Sequence, residues 1–318
     1  MKRTSLFITG GAGFIGSEYV RQEVAMGKYS KIYVLDKLTY AGNVKRIEKE
    51  IKDSSIEFIH ADVSDINSYS AAISECNEIV HFAAESHVDR SIKDGAVFLK
   101  TNIVGTFNLL ENLKDRKDCR VVVVSTDEVY GSTSAEDGFN ETSNLDPSSN
   151  YSASKAAGDL LALANFKTFK QNVVITRCTN NYGPFQDPEK FLPVVIQGVL
   201  NKKKIPVYGT GENIREWIHI SDHCEAVRRV LKDGKSGEIY NVGSNDRFSN
   251  LQLIEKVGKI LGEVPEIEFV ADRKGHDLRY ALNSEKIKKQ LGWEPKIDLQ
   301  IGLRETLNWY KENSWVFN

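Results

Sequence analysis

Six short apolar runs recur along the first 180 residues, and a stretch with helical spacing separates each run from the next. The runs are rich in β-branched residues and show little polar alternation, which is typical of strands buried on both faces of a parallel sheet. This alternation predicts an α/β fold, a doubly wound parallel sheet of the Rossmann type. The predicted strands span residues 4–9, 31–35, 56–60, 79–82, 121–124 and 173–177.

The strand-helix rhythm loosens after residue 180, where Gly183 and Pro184 interrupt regular structure. We therefore expect a Rossmann domain at residues 1–180 and a second, smaller α+β domain at 181–318, with the chain free to cross between them. The polar segment 131–150 is predicted to be a loop at the rim of the site, and whether it closes on a ligand is left open. Helices are predicted at 190–201 and near 222–233, 249–261 and 298–312.

A glycine-rich turn follows the first predicted strand and precedes a helical stretch that reaches Met26. Its Gly10, Gly13 and Gly16 permit a tight turn, close approach of the backbone to a pyrophosphate, and an anion at the helix N-terminus. The next strand ends at Asp36, about 20 residues beyond the last glycine, where a carboxylate can accept hydrogen bonds from ribose hydroxyls. The pattern therefore predicts a bound NAD rather than NADP, a preference that Lys37 next door weakens slightly.

A second group of polar residues follows the β-branched run at 121–124, at the edge of the sheet where such folds bind ligands. It contains Thr126, Asp127 and Glu128, and one of the two carboxyl groups could donate a proton while the other removes one. Tyr151 and Lys155 lie four positions apart and share one helix face. A nearby ammonium favours the phenolate, so we expect a lowered pKa for Tyr151 and a role as general base. Alone, this spacing also arises by chance, and an Asp-Glu pair is often only a solvated turn.

Composition narrows the class of protein further. Lys and Arg number 42 against 44 Asp and Glu, so no basic field exists to hold nucleic acid or an anionic membrane. The six histidines form no HExxH motif, and a metal site is not expected. The apolar runs are too short to span a bilayer. The cysteines show no CxxC spacing, which favours reduced thiols in a cytoplasmic protein; they are Cys76, Cys119, Cys178 and Cys224.

Three arginines occur in segments rich in Gly and Asp in the second part of the chain: Arg215, Arg273 and Arg279. Arginines in loops are usually solvated, but a diphosphate ligand needs bidentate cation partners that the overall charge of −2 cannot supply. We expect this role for Arg215 in particular.

With these residues in view, the sequence resembles the extended short-chain dehydrogenase/reductase family, and within it the nucleotide-sugar 4,6-dehydratases, over nearly the whole chain. Epimerases of that superfamily share the glycine turn and YxxxK but usually lack the Asp-Glu pair. The motifs that carry the resemblance are TGGAGFIGS from Thr9, AAESHVDRS from Ala83, STDEVYG from Ser125, YSASK from Tyr151, NNYGP from Asn180, GHD from Gly275 and RYA from Arg279.

The resemblance implies an internal redox cycle that consumes no net NAD. Tyr151, assisted by Lys155 and Thr126, would remove the proton of the sugar's 4-hydroxyl while hydride leaves C4. Glu128 would then take the C5 hydrogen as Asp127 protonates the departing 6-hydroxyl, and hydride would return to C6. The expected product is a 4-keto-6-deoxy sugar nucleotide.

The resemblance also implies two sets of binding residues. His87 in the second set could equally be structural. The cofactor set is Gly10, Gly13, Phe14, Ile15, Gly16, Asp36, Lys37, Leu38, Thr39, Asp62, Val63, Ala83, Ala84, Ser86, Thr101, Tyr151, Lys155 and Asn181. The substrate set is His87, Thr126, Asn180, Lys190, Phe191, Pro206, Val207, Tyr208, Arg215, Asn250, Arg273 and His276.

Departures from the family pattern concentrate among residues expected near the nucleotide. Lys274 replaces a usual proline, Glu216 replaces an aspartate before Trp217, and residues 244–247 replace a stretch richer in glycine and glutamate. dTDP-glucose is the substrate expected first, with UDP- or CDP-glucose or a UDP-N-acetylhexosamine left open. A 4-epimerase and an NAD-binding sensor without turnover are the remaining alternatives. The family commonly dimerises through helices that would begin near Gly95 and Tyr151 here, which implies a homodimer.

Overall fold

The computed structural model describes residues 4–313 and residue 316. The chain forms one large sheet, two small sheets and the helices that cover them. Its strands are β1 (Ser5–Thr9), β2 (Lys31–Asp36), β3 (Glu57–His60), β4 (Glu78–His81), β5 (Arg120–Thr126), β6 (Asn172–Cys178), β7 (Asn180–Tyr182), β8 (Ile205–Tyr208), β9 (Ile214–His219), β10 (Ile239–Val242), β11 (Arg247–Ser249) and β12 (Ile267–Val270).

The large sheet has seven strands in the order β10-β6-β5-β4-β1-β2-β3, and every pair in it is parallel. The strand order reverses between β1 and β4, which creates a crevice at the carboxyl ends of the strands. The predicted doubly wound α/β fold is confirmed, and all six predicted strands are present. The sequence analysis missed the seventh, β10.

The helices lie between these strands and follow the predicted rhythm closely. Short 3₁₀ turns occur at Val44–Ile47, Ile66–Ser68 and Asp127–Tyr130, and a π-helical segment, Leu99–Gly105, joins α5 to α6. The α-helices are α1 (Phe14–Met26), α2 (Glu48–Lys52), α3 (Ser70–Ser74), α4 (Val88–Lys93), α5 (Ala96–Phe98), α6 (Thr106–Leu113), α7 (Asn150–Phe169), α8 (Phe191–Leu200), α9 (Ile220–Asp233), α10 (Asn250–Leu261), α11 (Glu285–Leu291) and α12 (Leu299–Glu312).

The second part of the chain builds two small sheets and also contributes to the large one. Strand β9 pairs with β7 in parallel and with β11 in antiparallel orientation, and β8 pairs with β12. Strand β10, by contrast, lies at the edge of the large sheet beside β6. The chain therefore leaves the large sheet after β6 and returns to it for one strand.

Three apolar cores hold these layers together. Two of them lie on the two faces of the large sheet, because alternate side chains of each buried strand point to opposite faces: Leu6 and Ile8 belong to one core and Phe7 to the other. The third core packs α8, α10 and α12 against β8 and β9. The first two cores therefore pack on both faces of the large sheet, whose carboxyl edge they support.

Candidate active site

One cavity runs along the carboxyl edge of the large sheet, past the ends of β1, β2, β4, β5 and β6. It brings together the glycine turn, the Asp127–Tyr130 turn and the start of α7. All five residues predicted to be catalytic line it, namely Thr126, Asp127, Glu128, Tyr151 and Lys155.

The glycine turn has the geometry that a pyrophosphate site needs. Gly10 has a φ of +69°, and a Cβ there would lie 2.6 Å from the backbone nitrogen of Ala83. A Cβ at Gly16 would lie 2.2 Å from the carbonyl oxygen of Gly10, so the turn can pack this tightly only with glycine. Gly13 caps α1 without any side-chain hydrogen bond, which leaves the first amides of the helix for an anion.

The Asp36 carboxylate is oriented at the end of β2 by two backbone amides. Its Oδ2 accepts a hydrogen bond from Ala12 N at 2.9 Å, and its Oδ1 accepts one from Leu38 N at 2.8 Å. Burial raises the pKa of Asp36, and these amides oppose that rise. Each carboxylate oxygen can accept a further hydrogen bond, so the residue fits a ribose diol.

A second carboxylate neutralises the lysine beside this site. Lys37 Nζ lies 2.8 Å from Asp62 Oδ2. Burial raises the pKa of Asp62, but the hydrogen bonds from Lys37 and Ser64 outweigh it and lower that pKa to about 2. Lys37 is therefore paired, and the charge at the ribose position is set mainly by Asp36.

Of the predicted cofactor residues, all except Leu38 line the cavity. Leu38 has a φ of +56°, and its side chain packs against the core on one face of the large sheet. The arrangement fits NAD, with the glycine turn for the pyrophosphate, Asp36 for a ribose and the chain after β3 for the adenine. The sequence analysis missed Glu85, although it lies within the AAESHVDRS motif, and several lining residues for which no motif gave a signal: Tyr40, Ala41, Gly42, Gln186 and Asp187.

The turn after β5 positions the two carboxyl groups that the sequence predicted to be catalytic. Thr126 caps it, because its Oγ1 accepts a hydrogen bond from Glu128 N at 3.3 Å, and the same hydroxyl donates to Asp127 Oδ1 at 3.2 Å. Asp127 is buried, and its Oδ2 has no hydrogen-bond partner among the described residues. A buried carboxyl oxygen without a partner, at the wall of a cavity, is available to a ligand.

The surroundings of Asp127 and Glu128 differ in charge. Burial raises the pKa of Asp127 well above its usual range, and the nearby carboxylates of Glu128 and Glu216 raise it further. Burial also raises the pKa of Glu128, but the cations of Arg273, Lys190 and Arg215 oppose this rise. Burial thus raises both pKa values, but the largest charge influence on Asp127 is a carboxylate and that on Glu128 is a cation, a difference that suits Asp127 as an acid and Glu128 as a base.

Helix α7 presents Tyr151 and Lys155 to the same cavity. A reciprocal capping box between Ser149 and Ser152 begins this helix, so the tyrosine lies in its first turn. Both side chains are 8% exposed. Lys155 Nζ donates a hydrogen bond to the carbonyl oxygen of Val124 at 2.7 Å.

The expectation of a lowered tyrosine pKa is wrong for this structure. Burial raises the pKa of Tyr151 well above its usual value, the carboxylate of Glu128 adds to the rise, and a hydrogen bond with Thr126 opposes it. Lys155 is bound to Val124 and does not offset these effects. The pKa of Tyr151 is therefore set mainly by burial, and not by the presence of a lysine four residues along the helix.

Residues predicted to bind the substrate separate into two groups. Thr126, Asn180 and Lys190 line the cavity, and Lys190 Nζ donates to the carbonyl oxygen of Ser86 at 2.9 Å. The other nine do not line it: His87, Phe191, Pro206, Val207, Tyr208, Arg215, Asn250, Arg273 and His276.

Four of these nine form a polar cluster, in which Arg215 contacts an aromatic ring and the other three contact carboxylates of the protein. The Arg215 guanidinium lies 4.2 Å from the Tyr280 ring centroid. Arg273 Nη1 lies 3.8 Å from Asp89 Oδ1, and the Tyr208 hydroxyl donates to Asp89 Oδ2 at 3.3 Å. His276 Nδ1 lies 2.6 Å from Asp272 Oδ1.

Two of the other five are placed by packing in a core. Val207 is 1% exposed in the third core, and Phe191 packs against the same core. Pro206 alternates with Val207 along β8 and is exposed, because successive strand residues face opposite sides. Asn250 begins α10, and its amide donates to Asn213 O. His87 Nε2 lies 3.8 Å from Glu189 Oε2.

Two searches of residues 4–313 and 316 bear on other kinds of site. No group of three or more His, Cys, Asp or Glu side chains in this part of the chain has the arrangement of a metal site. Nor does any helix among these residues have the length and apolar character needed to cross a membrane.

Comparisons with known proteins agree with this site. The family model for GDP-mannose 4,6 dehydratase matches residues 7–306. A dTDP-glucose 4,6-dehydratase of Streptomyces niveus is 44% identical over 313 residues, which is 97% of this chain and 93% of that protein.

Solved structures give the same picture. A dTDP-glucose 4,6-dehydratase of Streptomyces venezuelae, with NAD and TDP bound, has a TM-score of 0.95 and 45% identity over 98% of each chain. The corresponding enzyme of Bacillus anthracis, in complex with NAD, has a TM-score of 0.91 and 41% identity, again over 98% of each chain.

Proposed function

Because this chain belongs to the dTDP-glucose 4,6-dehydratases, within the family that the GDP-mannose 4,6 dehydratase model describes, we propose that it converts dTDP-glucose to dTDP-4-keto-6-deoxyglucose and water. One observation carries this proposal: Asp127 and Glu128 share a cavity with Tyr151, and the largest charge influence on Asp127 is a carboxylate whereas that on Glu128 is a cation. A 4-epimerase needs a base at one hydroxyl, whereas loss of water needs a further acid and base.

The cofactor of the reaction is NAD, as in the solved relatives. When bound, it accepts a hydride from the sugar, returns it within the same turnover, and brings a positively charged ring into the cavity that contains Tyr151. The glycine turn would hold its pyrophosphate and Asp36 a ribose. The Asp36 carboxylate would repel a phosphate on that ribose, which favours NAD over NADP.

The first proton transfer belongs to Tyr151. Its phenolate oxygen takes the proton of the sugar's 4-hydroxyl, and the contact with Thr126 opposes the rise in the Tyr151 pKa. To donate to the phenolate, the Thr126 hydroxyl would turn away from Asp127. The buried Lys155 ammonium holds the first turns of α7 to the end of β5 through Val124 and adds positive charge beneath this site. Oxidation of C4 to a ketone makes the hydrogen on C5 acidic.

The elimination uses the two carboxyl groups. Glu128, the carboxyl group whose raised pKa is opposed by nearby cations, takes the C5 proton. Asp127, whose pKa is raised by burial and by neighbouring carboxylates, gives its proton to the departing 6-hydroxyl. One water leaves, and the bond between C5 and C6 becomes double. Hydride then returns to C6 and Glu128 gives its proton back to C5, while the proton taken up by Tyr151, or one from solvent, restores Asp127.

The nucleotide would bind beyond the sugar, at the polar cluster. We propose that Arg215 and Arg273 contact its diphosphate, because a guanidinium matches two phosphate oxygens. Both cations lie close enough to influence Glu128, so a diphosphate there would place the sugar next to the catalytic turn. Lys190, His276 and the remaining predicted substrate residues stay in this proposal, as does thymidine as the base.

We further propose a homodimer. Support comes from a run of apolar side chains on α4 to α7 that are between 39% and 57% exposed, which is unusual for a surface meant to face water. A homodimer would have twice the chain mass of 35.7 kDa, which light scattering measures directly. The side chains are Ile92, Val97, Leu99, Val104, Phe107 and Leu160.

Two broader expectations also stay as proposals. The four cysteines are free and buried, which supports a reducing cytoplasm as the place of action. The division into a Rossmann domain at 1–180 and a substrate domain at 181–318 is kept, with the chain crossing back for α9, β10 and α11. Strand β10 joins the large sheet, and the two helices pack into the core on one of its faces.

The experiment that tests the function offers the purified protein dTDP-glucose without added cofactor. We expect a product lighter by one water, because NAD is regenerated in each turnover and remains bound. Parallel assays use UDP-glucose, CDP-glucose and a UDP-N-acetylhexosamine. Loss of water from only one of these other substrates would show that the enzyme is specific for the nucleobase of that substrate and not for thymine. An isomer of unchanged mass would indicate an epimerase, and no reaction with NAD retained would indicate a sensor.

A further inference from the structure

A buried ion pair lies beneath the active site, and the proposed reaction does not use it. Arg177 Nε on β6 donates to Asp159 Oδ2 on α7 at 2.8 Å, and the two side chains are 2% and 1% exposed. Neither residue lines the cavity. Burying two charges is costly, and apolar residues of similar size often stabilise a fold as well. Stability alone therefore gives little reason for this pair.

The position of Asp159 on α7 connects the pair to the catalytic lysine. Tyr151, Lys155 and Asp159 follow at intervals of four and share one helix face, where all three are buried. Asp159 Oδ1 has no hydrogen-bond partner within the described chain. Lys155 has three N–H donors and uses one for the carbonyl of Val124.

The charges that reach Lys155 come from three elements. Burial lowers the pKa of Lys155, and the Asp159 carboxylate on the same helix is the main opposing influence. The Cys178 thiol at the end of β6 contributes less. The charge of Lys155 also acts on His81 of β4. Burial and Lys155 together lower the pKa of that histidine to about 3, so it is neutral. Asp159 is therefore the one full negative charge among these neighbours.

Arg177 connects the ion pair to the turn that contains Asp127, the proposed acid, and Glu128, the proposed base. Its guanidinium lies 4.6 Å from the ring centroid of Tyr130, the last residue of that turn. The Tyr130 hydroxyl donates to Asn241 Oδ1 on β10 at 2.9 Å. In the sheet, Arg177 is paired with Ser125 of β5, two residues before Asp127.

We propose that the Asp159–Arg177 pair positions the catalytic lysine. Asp159 balances the buried charge of Lys155, and Arg177 holds Asp159 against the Asp127–Tyr130 turn, so that the tyrosine-lysine face of α7 and the two carboxyl groups keep one relative arrangement. Both are positioning residues. The inference rests on the proposed function, in which Lys155 serves the base Tyr151.

The test replaces Asp159 with asparagine, which keeps the shape and removes the charge. The direct measurement is a ¹³C NMR titration of lysine side chains in selectively labelled protein, with the Lys155 signal assigned from a Lys155→Met variant. In Asp159→Asn we expect the Lys155 titration midpoint to fall by at least about one pH unit, a tenfold shift in the equilibrium. We expect the alkaline limb of the pH-rate profile for dehydration to move down by the same amount.

The chain offers a matched control in Glu23→Gln. Glu23 is also fully buried, accepts from Arg228 Nε at 2.5 Å, and has a second oxygen without a partner in the described residues. It lies on α1, outside the cavity. We expect both variants to lose thermal stability, but only Asp159→Asn to change the titration of Lys155.

Asp159→Asn leaves Arg177 as an unpaired buried charge, so a second variant guards against loss of folding. Asp159→Asn/Arg177→Met removes both charges, and we expect a lowered midpoint with a smaller shift than in Asp159→Asn, because loss of the Arg177 cation opposes loss of the Asp159 carboxylate. An unchanged Lys155 midpoint in a folded form of either variant would overturn the proposal. Failure of the proposed function would look different, because the unmodified protein would then not dehydrate any sugar nucleotide while the NMR shift persisted.

Discussion

The two ends of the site are built in different ways. At the reaction end, Thr126, Asp127, Glu128, Tyr151 and Lys155 come from the end of one strand and the start of one helix, and all of them line one cavity. At the nucleotide end, the predicted residues come from β8, β9 and the loop at 271–279, and they contact carboxylates and rings of the protein itself. The reaction end is thus arranged in advance, whereas the nucleotide end must exchange protein partners for substrate.

This comparison has a consequence for the roles of Arg273 and Asp89. A diphosphate that binds Arg273 competes with the Asp89 carboxylate for the same guanidinium. Substitutions at the reaction end should therefore change the rate of one chemical step, and substitutions at the nucleotide end should change the concentration of substrate that is needed.

The largest effect is expected for Tyr151→Phe. Without the phenol no base remains at the 4-hydroxyl, and the first oxidation should slow by about 10²- to 10⁴-fold. The absorbance of reduced cofactor, followed in a single turnover, measures this step. Tyr29→Phe is the control, because Tyr29 is engaged with Glu78 outside the cavity. Oxidation at the normal rate in Tyr151→Phe would remove this residue as the base.

Glu128→Gln should separate the first oxidation of the sugar from the elimination of water. The first oxidation does not need this carboxylate, so it should proceed, while elimination should slow by about 10²- to 10⁴-fold. Reduced cofactor should therefore accumulate after substrate is added, and the mass of the sugar should show no loss of water. Normal product formation with no accumulation would take Glu128 out of the mechanism.

Arg215→Lys tests the nucleotide end. A lysine keeps the charge but loses the planar pair of donors, so we expect KM to rise about 10- to 100-fold with kcat nearly unchanged. The control is Arg279→Lys, since Arg279 donates to the carbonyl oxygens of Ala135 and Glu136 and is not assigned to the site. A loss confined to kcat in Arg215→Lys would contradict the division between the two ends.

The pH dependence should also differ between the chemical steps. The raised pKa of Asp127 keeps its proton in place below that pKa, so elimination should lose about tenfold for each pH unit above it. The first oxidation does not use this proton, so any decline in it at high pH should follow the titration of Lys155 and not that of Asp127. Single-turnover rates of cofactor reduction and of water loss, measured as the pH is raised, would separate the two. Parallel declines in both would argue against Asp127 as the acid.

The smallest effect is expected for Lys274→Ala. This residue departs from the family pattern, but its side chain is exposed. We expect the ratio of kcat/KM for dTDP-glucose to that for UDP-glucose to change by less than about threefold, as for surface changes away from packed contacts. A larger change would place the choice of base at this loop.

The sequence alone predicted the reaction end well because local rules apply there. The Val121–Val124 run could only be a buried strand, and the polar residues after it had to emerge at the carboxyl edge. It did not predict β10, because Asn241 interrupts an already short apolar run. The reason for that asparagine is tertiary, since it binds the Tyr130 hydroxyl and the carbonyl oxygen of Phe139.

Several predicted binding residues show the limit of motif reasoning about the position of a side chain. Val207 and Pro206 are neighbours in sequence, yet the alternation of β8 buries one in a core and exposes the other. Leu38 follows Asp36 closely but turns into the core. The raised pKa of Tyr151 also depends on burial, which spacing along a helix cannot reveal. Such outcomes are decided by packing between distant segments.

The return of the chain to the large sheet at β10 also matters while the protein is being made. Strand β6 ends at Cys178, and its edge partner begins at Ile239, roughly 60 residues later. At translation rates of about 5–20 residues per second, that edge waits roughly 3–12 s for its partner. Its apolar residues Val173, Val174 and Ile175 are then next to unpaired backbone groups, the kind of surface on which nascent chains associate. A chaperone that binds extended apolar segments would act in this interval.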